Sequence, residues 1–405
     1  MLSKRLFSRN IIKNVHMYST FNEHHLLLKD TITRFSNEKI KDQSLEYNRD
    51  EKFNKELFRS LGDLGLFGIT VPSEYGGSDL DVTSSCIVHE EMTAYDPGFT
   101  LAYMVHSILF CNNLYVNGNK NQWEKYLPGA CSGELIGSMC MSEPHAGTDV
   151  LSMKSHAVEK DDHYILNGRK LWITNGCLDD NTLCDVSLVY AKTGEGRKDL
   201  SLFLVEKDMK GFELGQRIKN KCGMRSSTSA ELIFDNVMIP KENLVGEKNK
   251  ALLCMMKNLE IERLCLAAMS VGIAKKSIEI MNNYSKERKS FNKKLNEFGQ
   301  IQSYLADSYA EYSACRSYLY DISKNYDIKS NNSSRIDTDS VKLVSSKMAT
   351  KVCDRAIQAL GGNGYCGEYV VERLWRDSKL IQIGGGTVES HQKNITKDLE
   401  LIDII

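Results

Sequence analysis

The period of the hydrophobic residues changes twice along the chain, and this double change restricts the possible folds more than any other feature. From about residue 21 to residue 133 apolar residues recur at three- and four-residue steps, the spacing of a buried helix face. Residues 52–67 carry Phe53, Leu57, Leu61 and Leu64 on one such stripe, and 84–95 and 101–116 read as further helices. Gly76-Gly77-Ser78 marks a turn between them. From about 134 to 239 the pattern becomes one of short strands. Tyr164-Ile165-Leu166 and the run 170–174 flank Asn167-Gly168, a dipeptide that favours a two-residue hairpin turn. Segments 187–191, 200–205 and 230–234 add strands, and Gly147, Gly176, Gly211 and Gly223 supply turns. From about 241 the helical period returns over 252–284, 301–326, 341–360 and 390–401, with the polar stretch 329–340 read as an exposed loop. Helical, then β, then helical: the expectation is an α+β fold with a helical unit at 23–135, a compact β-domain at 136–240 and a helical unit at 241–405.

Composition removes several classes of function. A formal net charge of −1 over 405 residues creates no field that would recruit nucleic acid, and no basic stretch is interleaved with aromatics. Twelve cysteines are present, but none sit at CxxC spacing, so neither a metal site nor a disulfide framework is expected. Cys86, Cys111, Cys254, Cys265, Cys315 and Cys353 fall in apolar helical stretches and read as small buried hydrophobes in a reducing compartment. No apolar run approaches the roughly 18 residues of a membrane span. The best candidate, 101–111, is interrupted by His106. Residues 1–22 differ in kind: Lys4, Arg5, Arg9 and Lys13 alternate with Leu2, Leu6, Phe7, Ile11 and Ile12, serines are present, and the first acid is Glu23. That is the pattern of a mitochondrial transit peptide, which implies the matrix and lies outside the fold.

One helix carries a carboxylate where an apolar residue belongs. Leu252, Met255, Leu259, Leu266, Met269 and Ile273 form a continuous stripe, and Glu262 fills the missing step between Leu259 and Leu266. A carboxylate on that face is expected to be desolvated, which raises its pKa and strengthens it as a base once ionised. The alternative is a structural ion pair. Arg263 is a poor direct partner, because adjacent helical residues point about 100° apart. Glu260 falls off the stripe and reads as a more exposed polar contact.

The motifs around this helix resemble those of the acyl-CoA dehydrogenases. The likeness begins at Met139-Cys140-Met141-Ser142-Glu143-Pro144-His145-Ala146-Gly147-Thr148-Asp149-Val150 and continues in Lys170-Leu171-Trp172-Ile173-Thr174-Asn175-Gly176. It runs on through Gly223-Met224-Arg225, the segment 288–291 and Gln358-Ala359-Leu360-Gly361-Gly362-Asn363-Gly364-Tyr365, and ends at Gly384-Gly385-Gly386-Thr387. The resemblance implies an N-terminal helical domain, a central β-domain, a C-terminal helical bundle, an FAD cofactor and an acyl-CoA substrate. On the cofactor side it implies Met139, Cys140, Met141, Ser142, Gly147, Thr148, Trp172, Ile173, Thr174, Thr387, Val388 and Glu389. Arg288 falls at the flavin pyrophosphate, and Gln358, Gly361 and Gly362 at a neighbouring subunit's flavin in a homotetramer. Thr148, Leu253, Glu260, Arg263, Gly385 and Gly386 are implied on the substrate side. The chemistry agrees, since a flavin needs a flat aromatic neighbour and hydroxyls of suitable reach. Read without the family, Trp172 would be a core tryptophan and the glycine pair after Gln358 a simple turn.

Many family members carry the catalytic glutamate just before a Gly-Thr pair near the C-terminus. Here that place is Gly385, which has no side chain. The isovaleryl-CoA and long-chain branches use an earlier helix instead, in a motif resembling Leu259-Glu260-Ile261-Glu262-Arg263-Leu264 with the second acid as base. The wording of 142–144, 152–154, 163–168 and 172–176 is similar to the isovaleryl-CoA branch, which implies an electron-transfer flavoprotein as electron acceptor and a role in leucine catabolism. The alternative within the family is a long-chain or other short-chain acyl-CoA dehydrogenase, and an acyl-CoA oxidase and an inactive acyl-CoA-binding protein are the other classes this scaffold allows. Two positions depart from the family. Asn292 stands where glycine often follows the phenylalanine, and Gly299 displaces an expected glutamine to Gln300.

Overall fold

A computed structural model describes residues 21–328 and 335–402. The leader reading therefore lies outside the described residues as far as residue 20. Phe21 and Asn22, assigned to the leader on sequence, belong to the fold: Phe21 is buried with its ring 4.7 Å from that of Tyr320, and Asn22 Oδ1 accepts from the His25 N–H at 2.9 Å. That cap opens α1 (Glu23–Phe35), which runs through a π-helical turn into α2 (Lys41–Asp50). Helix α3 (Lys55–Asp63) is shorter than its stripe suggested. Gly65 at φ 69° stops it, Phe58 and Leu61 are its buried residues, and Leu64 is exposed.

Helix α4 (Val82–Thr93), capped by Asp81, is buried at every residue. Helix α5 (Pro97–Met104), capped by Asp96 with proline at its first position, continues through a π-helical stretch, Val105–Asn112, into α6 (Asn113–Asn117). This corrects the expectation of no span-length segment. Pro97–Asn117 is long and apolar enough to cross a membrane by length and composition, but 89% of its apolar 18-residue window is buried inside the protein, as in a core helix. Helix α7 (Lys120–Ser132) closes the first unit.

The second unit is a single mixed sheet of β1 (Gly137–Cys140), β2 (His156–Glu159), β3 (His163–Thr174), β4 (Val186–Lys192), β5 (Leu200–Glu206), β6 (Phe212–Arg217), β7 (Ser229–Pro240) and β8 (Leu244–Val245). Its order is β6-β7-β3-β2-β4-β5-β8, and β1 pairs in parallel with β4. The Asn167-Gly168 hairpin expected from sequence is absent. Both flanking runs are one strand, β3, pairing along its length with β7, and the dipeptide sits where the register shifts between Leu166 and Gly168. Gly168 is required by close approach: a Cβ there would lie 2.2 Å from Ser155 Oγ and 2.6 Å from Ser155 Cα. The hairpin turn is at Asp161-Asp162, where Lys160 N–H donates to His163 O at 2.8 Å.

Further along β3, Lys170 is fully buried. Its Nζ meets Glu143 Oε1 at 2.8 Å and the Met141 carbonyl at 3.1 Å. Glu143, equally buried, also accepts from the Lys154 N–H at 2.6 Å and the Ser155 N–H at 3.0 Å. All this fastens the 141–155 segment across the sheet. One step on, a second register shift between Lys170 and Ile173 holds Trp172 at φ 66°.

The third unit contains α8 (Ala251–Glu287), a two-residue ribbon of β9 (Lys289–Ser290) and β10 (Lys293–Lys294), then α9 (Gly299–Asn325) and α10 (Arg335–Leu360). The short α11 (Gly362–Tyr365), α12 (Val371–Ile381) and α13 (Val388–Leu399) follow. Residues 335–340, expected as loop, open α10; they are helical because Thr338, Asp339 and Val341 are buried there. The ribbon turns at Phe291 and Asn292, φ 49° and 63°, which explains one departure from the family: asparagine is the side chain that best tolerates a conformation glycine adopts freely. Ten of the twelve cysteines are buried and all are free.

Two consequences are measurable. Gly168→Ala should lower the unfolding free energy by about 1–3 kcal/mol in urea titration, since the added methyl meets Ser155; a wild-type midpoint would mean the bulge is pliable. Lys170→Met should cost about 3–5 kcal/mol by leaving Glu143 buried and uncompensated, and a Glu143→Leu/Lys170→Met double variant should recover much of the loss.

Candidate active site

On α8 the stripe Met255, Leu266, Met269, Ile273 is buried, and Glu262 is 5% exposed within it. Its Oε2 has no hydrogen-bond partner among the described residues. Burial pushes the carboxyl up to about 7, against the opposing pull of the Arg263 and Lys342 charges. Arg263 itself turns away, its Nε 3.0 Å from Asp339 Oδ1 on α10, in keeping with helix geometry. Glu260 corrects the sequence reading. It is 4% exposed rather than solvated, because the end of α9 covers that side, where Tyr326 Oη donates to Glu260 Oε2 at 3.4 Å.

The loop between α12 and α13 closes over Glu262. Gly385 and Gly386 adopt φ 63° and 95°. A Cβ on Gly385 would lie 3.3 Å from Glu262 Oε1, and 2.2 Å from Leu266 Cδ1, so the two positions implied by the family for a catalytic acid converge on one point. Thr387 caps α13, accepting from the Ser390 N–H at 3.2 Å, with Val388 and Glu389 in the first turn. The Gly386 carbonyl accepts from Lys342 Nζ at 2.6 Å and faces His391 Nε2 at 3.0 Å, while His391 Nδ1 lies 2.5 Å from Asp339 Oδ1. Sequence reasoning missed Lys342, Asp339 and His391. A signal was available: Lys342 lies on α10 in helical register with the buried Ala349, Cys353 and Ala356, a charge on a face that is otherwise uncharged.

The two motifs implied for the flavin are tied together, with Leu171 N–H donating to Ser142 O at 3.0 Å. Trp172 is 60% exposed, which excludes a core tryptophan. The side chains of Cys140 and Ile173 point into the β-domain core, so only their main chains are available to a ligand. Ser142 and Thr174 are half-buried, Gly147 and Thr148 exposed, and a Cβ on Gly147 would meet nothing within 4 Å. A flat ring held proud of the sheet by a bulge, beside hydroxyls and open backbone, fits an isoalloxazine. Met139 and Met141 pack against the same hydrophobic cluster that contains Tyr190, Cys254 and Met255 and that Leu259 borders, so this segment and the first turns of α8 share one core. Leu253 lies exposed on the same turns.

Arg288, Gln358, Gly361 and Gly362 are not brought to this place. Arg288, the residue that ends α8, follows Glu262 by 26 residues, about 39 Å at 1.5 Å per residue. All four are exposed, and Asn363 Nδ2 donates to Tyr284 Oη at 2.9 Å, which gathers the glycine pair at the same far end. Phe291 nearby is 88% exposed.

Comparison with known proteins agrees with this layout. Residues 22–134 match the acyl-CoA dehydrogenase N-terminal domain, 138–237 the middle domain and 252–400 the C-terminal domain. A mitochondrial 2-methylacyl-CoA dehydrogenase of Solanum tuberosum is 40% identical over 92% of this chain and 89% of its own length. A mitochondrial isovaleryl-CoA dehydrogenase of Pongo abelii is 40% identical over 89% and 85%. Among solved structures, butyryl-CoA dehydrogenase of Megasphaera elsdenii superposes with a TM-score of 0.88 at 31% identity, covering 94% of this chain and 99% of that one. A glutaryl-CoA dehydrogenase of Mycobacterium smegmatis in complex with FADH2 superposes at 0.88 with 25% identity, covering 95% and 96%. With three matched domains in order, this chain belongs to the acyl-CoA dehydrogenase family, oxidoreductases that act on the CH–CH group of an acyl-CoA.

Proposed function

We propose that the chain oxidises a short branched acyl-CoA, isovaleryl-CoA to 3-methylcrotonyl-CoA in leucine catabolism, with Glu262 as the base and FAD as the bound oxidant. The observation that carries this reading is the buried Glu262 carboxylate, one oxygen unpartnered, beside the side-chain-free Gly385. Loss of the α-proton to Glu262 places negative charge on the thioester oxygen. The Gly385 N–H is the donor for that oxygen; such a preorganised donor is typically worth about 3–4 kcal/mol, and a positioned base about 10²–10⁴ in rate. When bound, FAD supplies the acceptor for the β-hydrogen as hydride. Trp172 would stack on its ring, Ser142 and Thr174 would bond its edge, and the main chain of 139–141 and Ile173 would line it. Gly147 and Thr148 leave an approach for ring and thioester, while Leu253, Glu260, Arg263 and Gly386 border the acyl-CoA side.

Arg288, Gln358, Gly361 and Gly362 lie too far from Glu262 to serve the same flavin, which supports a homotetramer in which they reach a neighbour's cofactor. Electron-transfer flavoprotein is the proposed partner and the mitochondrial matrix the proposed location, in line with the mitochondrial relatives. A second substrate reading, a 2-methyl-branched acyl-CoA, is favoured by the Solanum relative at equal identity.

Glu262→Gln should remain yellow and bind acyl-CoA while flavin bleaching is lost; near-normal turnover would remove Glu262 from the mechanism. In the wild type, kcat/KM should rise with pH through a midpoint near 7, because below it the carboxyl is protonated and cannot accept the α-proton. Bleaching compared across isovaleryl-, 2-methylbutyryl-, butyryl- and palmitoyl-CoA decides the acyl group, with isovaleryl-CoA expected fastest.

A further inference from the structure

We propose that Lys342, backed by His391 and Asp339, is a positioning residue for this reaction: it grips the Gly386 carbonyl and so fixes the Gly385 peptide against Glu262. The proposal rests on the reading of Glu262 as base. Three consecutive glycines, 384–386, lie in the gap between α12 and α13. Such a stretch has the largest conformational freedom to lose and no side chain with which to anchor itself, yet a donor for developing charge must be held to within about 0.5 Å. Gly384 N–H is tied back to Leu380 O at 2.7 Å, but the anchor on Gly386 comes from outside the loop. Lys342 is fully buried on α10, forms no ion pair within 4.0 Å among the described residues, and directs Nζ to the Gly386 carbonyl at 2.6 Å. A lysine desolvated for a single neutral acceptor is costly unless a nearby anion offsets it.

That anion is Glu262. Burial lowers Lys342 to about 8, and the strongest opposing influence is the Glu262 charge. His391 approaches the same carbonyl from α13. Both its nitrogens face acceptors, so the ring fills both bonds only as the imidazolium; burial opposes that form and the Asp339 contact favours it, leaving its pKa below the usual value. Lys342 therefore donates to Gly386 whatever the state of the ring. The groups facing this pair are Arg263 from α8, Asp339 from α10, His391 from α13, Tyr190 from β4 and, behind Glu262 on its own helix, Glu260 with Tyr326 of α9 and Cys265. Removing the Lys342 charge takes away one of the two cations that hold the Glu262 pKa down, so the sign of the effect is upward.

The test is stopped-flow flavin reduction by isovaleryl-CoA as a function of pH, on holoenzyme carrying Lys342→Met or Lys342→Gln, with thermal melting alongside. Lys342→Met should slow the limiting rate by about 10–100-fold with a smaller change in KM, and should move the rising limb to higher pH by about one unit. Lys342→Gln keeps a donor without the charge, so its limiting rate should recover toward wild type while the limb stays displaced. Wild-type rate and midpoint in both variants would overturn the proposal, as would a rate loss with an unmoved midpoint and a lowered melting temperature. Should Lys342→Met fail to fold, Lys342→Gln is judged by the same displacement of the limb. Glu262→Gln separates the two ideas: an active Glu262→Gln refutes the base even if the Lys342 variants are slow, whereas an inactive one with unchanged Lys342 variants refutes only the positioning.

Discussion

The removal of water from one carboxylate is the constraint around which the rest of the molecule is arranged. Glu262 sits on a helix of 37 residues covered by other helices over much of its length, and its neighbours on the stripe are apolar. Charge in such a place is tolerated only with compensation. Here the compensation is partial: Arg263 is committed to Asp339, Lys342 to a carbonyl, and Glu262 Oε2 is left without a partner. A half-compensated carboxylate is poorly designed for stability and well designed as a base, because it gains little from staying ionised and can take a proton near neutral pH.

The β-domain solves a different problem, that of presenting an aromatic ring and a strip of open backbone at its surface. Two bulges in β3 do this. The first, at Gly168, lets the strand lie against Ser155; the second turns Trp172 out of the sheet at a positive φ that a tryptophan rarely adopts. The buried Lys170–Glu143 pair keeps the neighbouring segment in place, so the outward ring stands on a stiff support.

Much of this was legible in the sequence. Periodicity alone separated the helical and β units and found Glu262, because a long buried helix leaves one charge conspicuous. The same rule applied to α10 would have found Lys342, but the small and polar residues there, Ser345, Ser346 and Ala349, leave hardly any apolar stripe for it to stand out from. Asn167-Gly168 misled because a bulge and a turn need the same backbone freedom; only the strand lying opposite, β7, decides between them. Glu260 misled for a related reason. A stripe predicts which face is buried first, and a helix packed on several sides has no face left for solvent. The π-helical widening of 105–112 left no trace in periodicity, since it changes the spacing by less than one residue per turn.

An isotope-edited infrared titration of the holoenzyme, wild type minus Glu262→Gln, reads the protonation of this one carboxyl directly. A carboxylic-acid band that persists through pH 6 and disappears about pH 7 is the predicted result. A band already lost near the ordinary glutamate value, about 4.3, would show that Glu262 is solvated, and would contradict the account at its root.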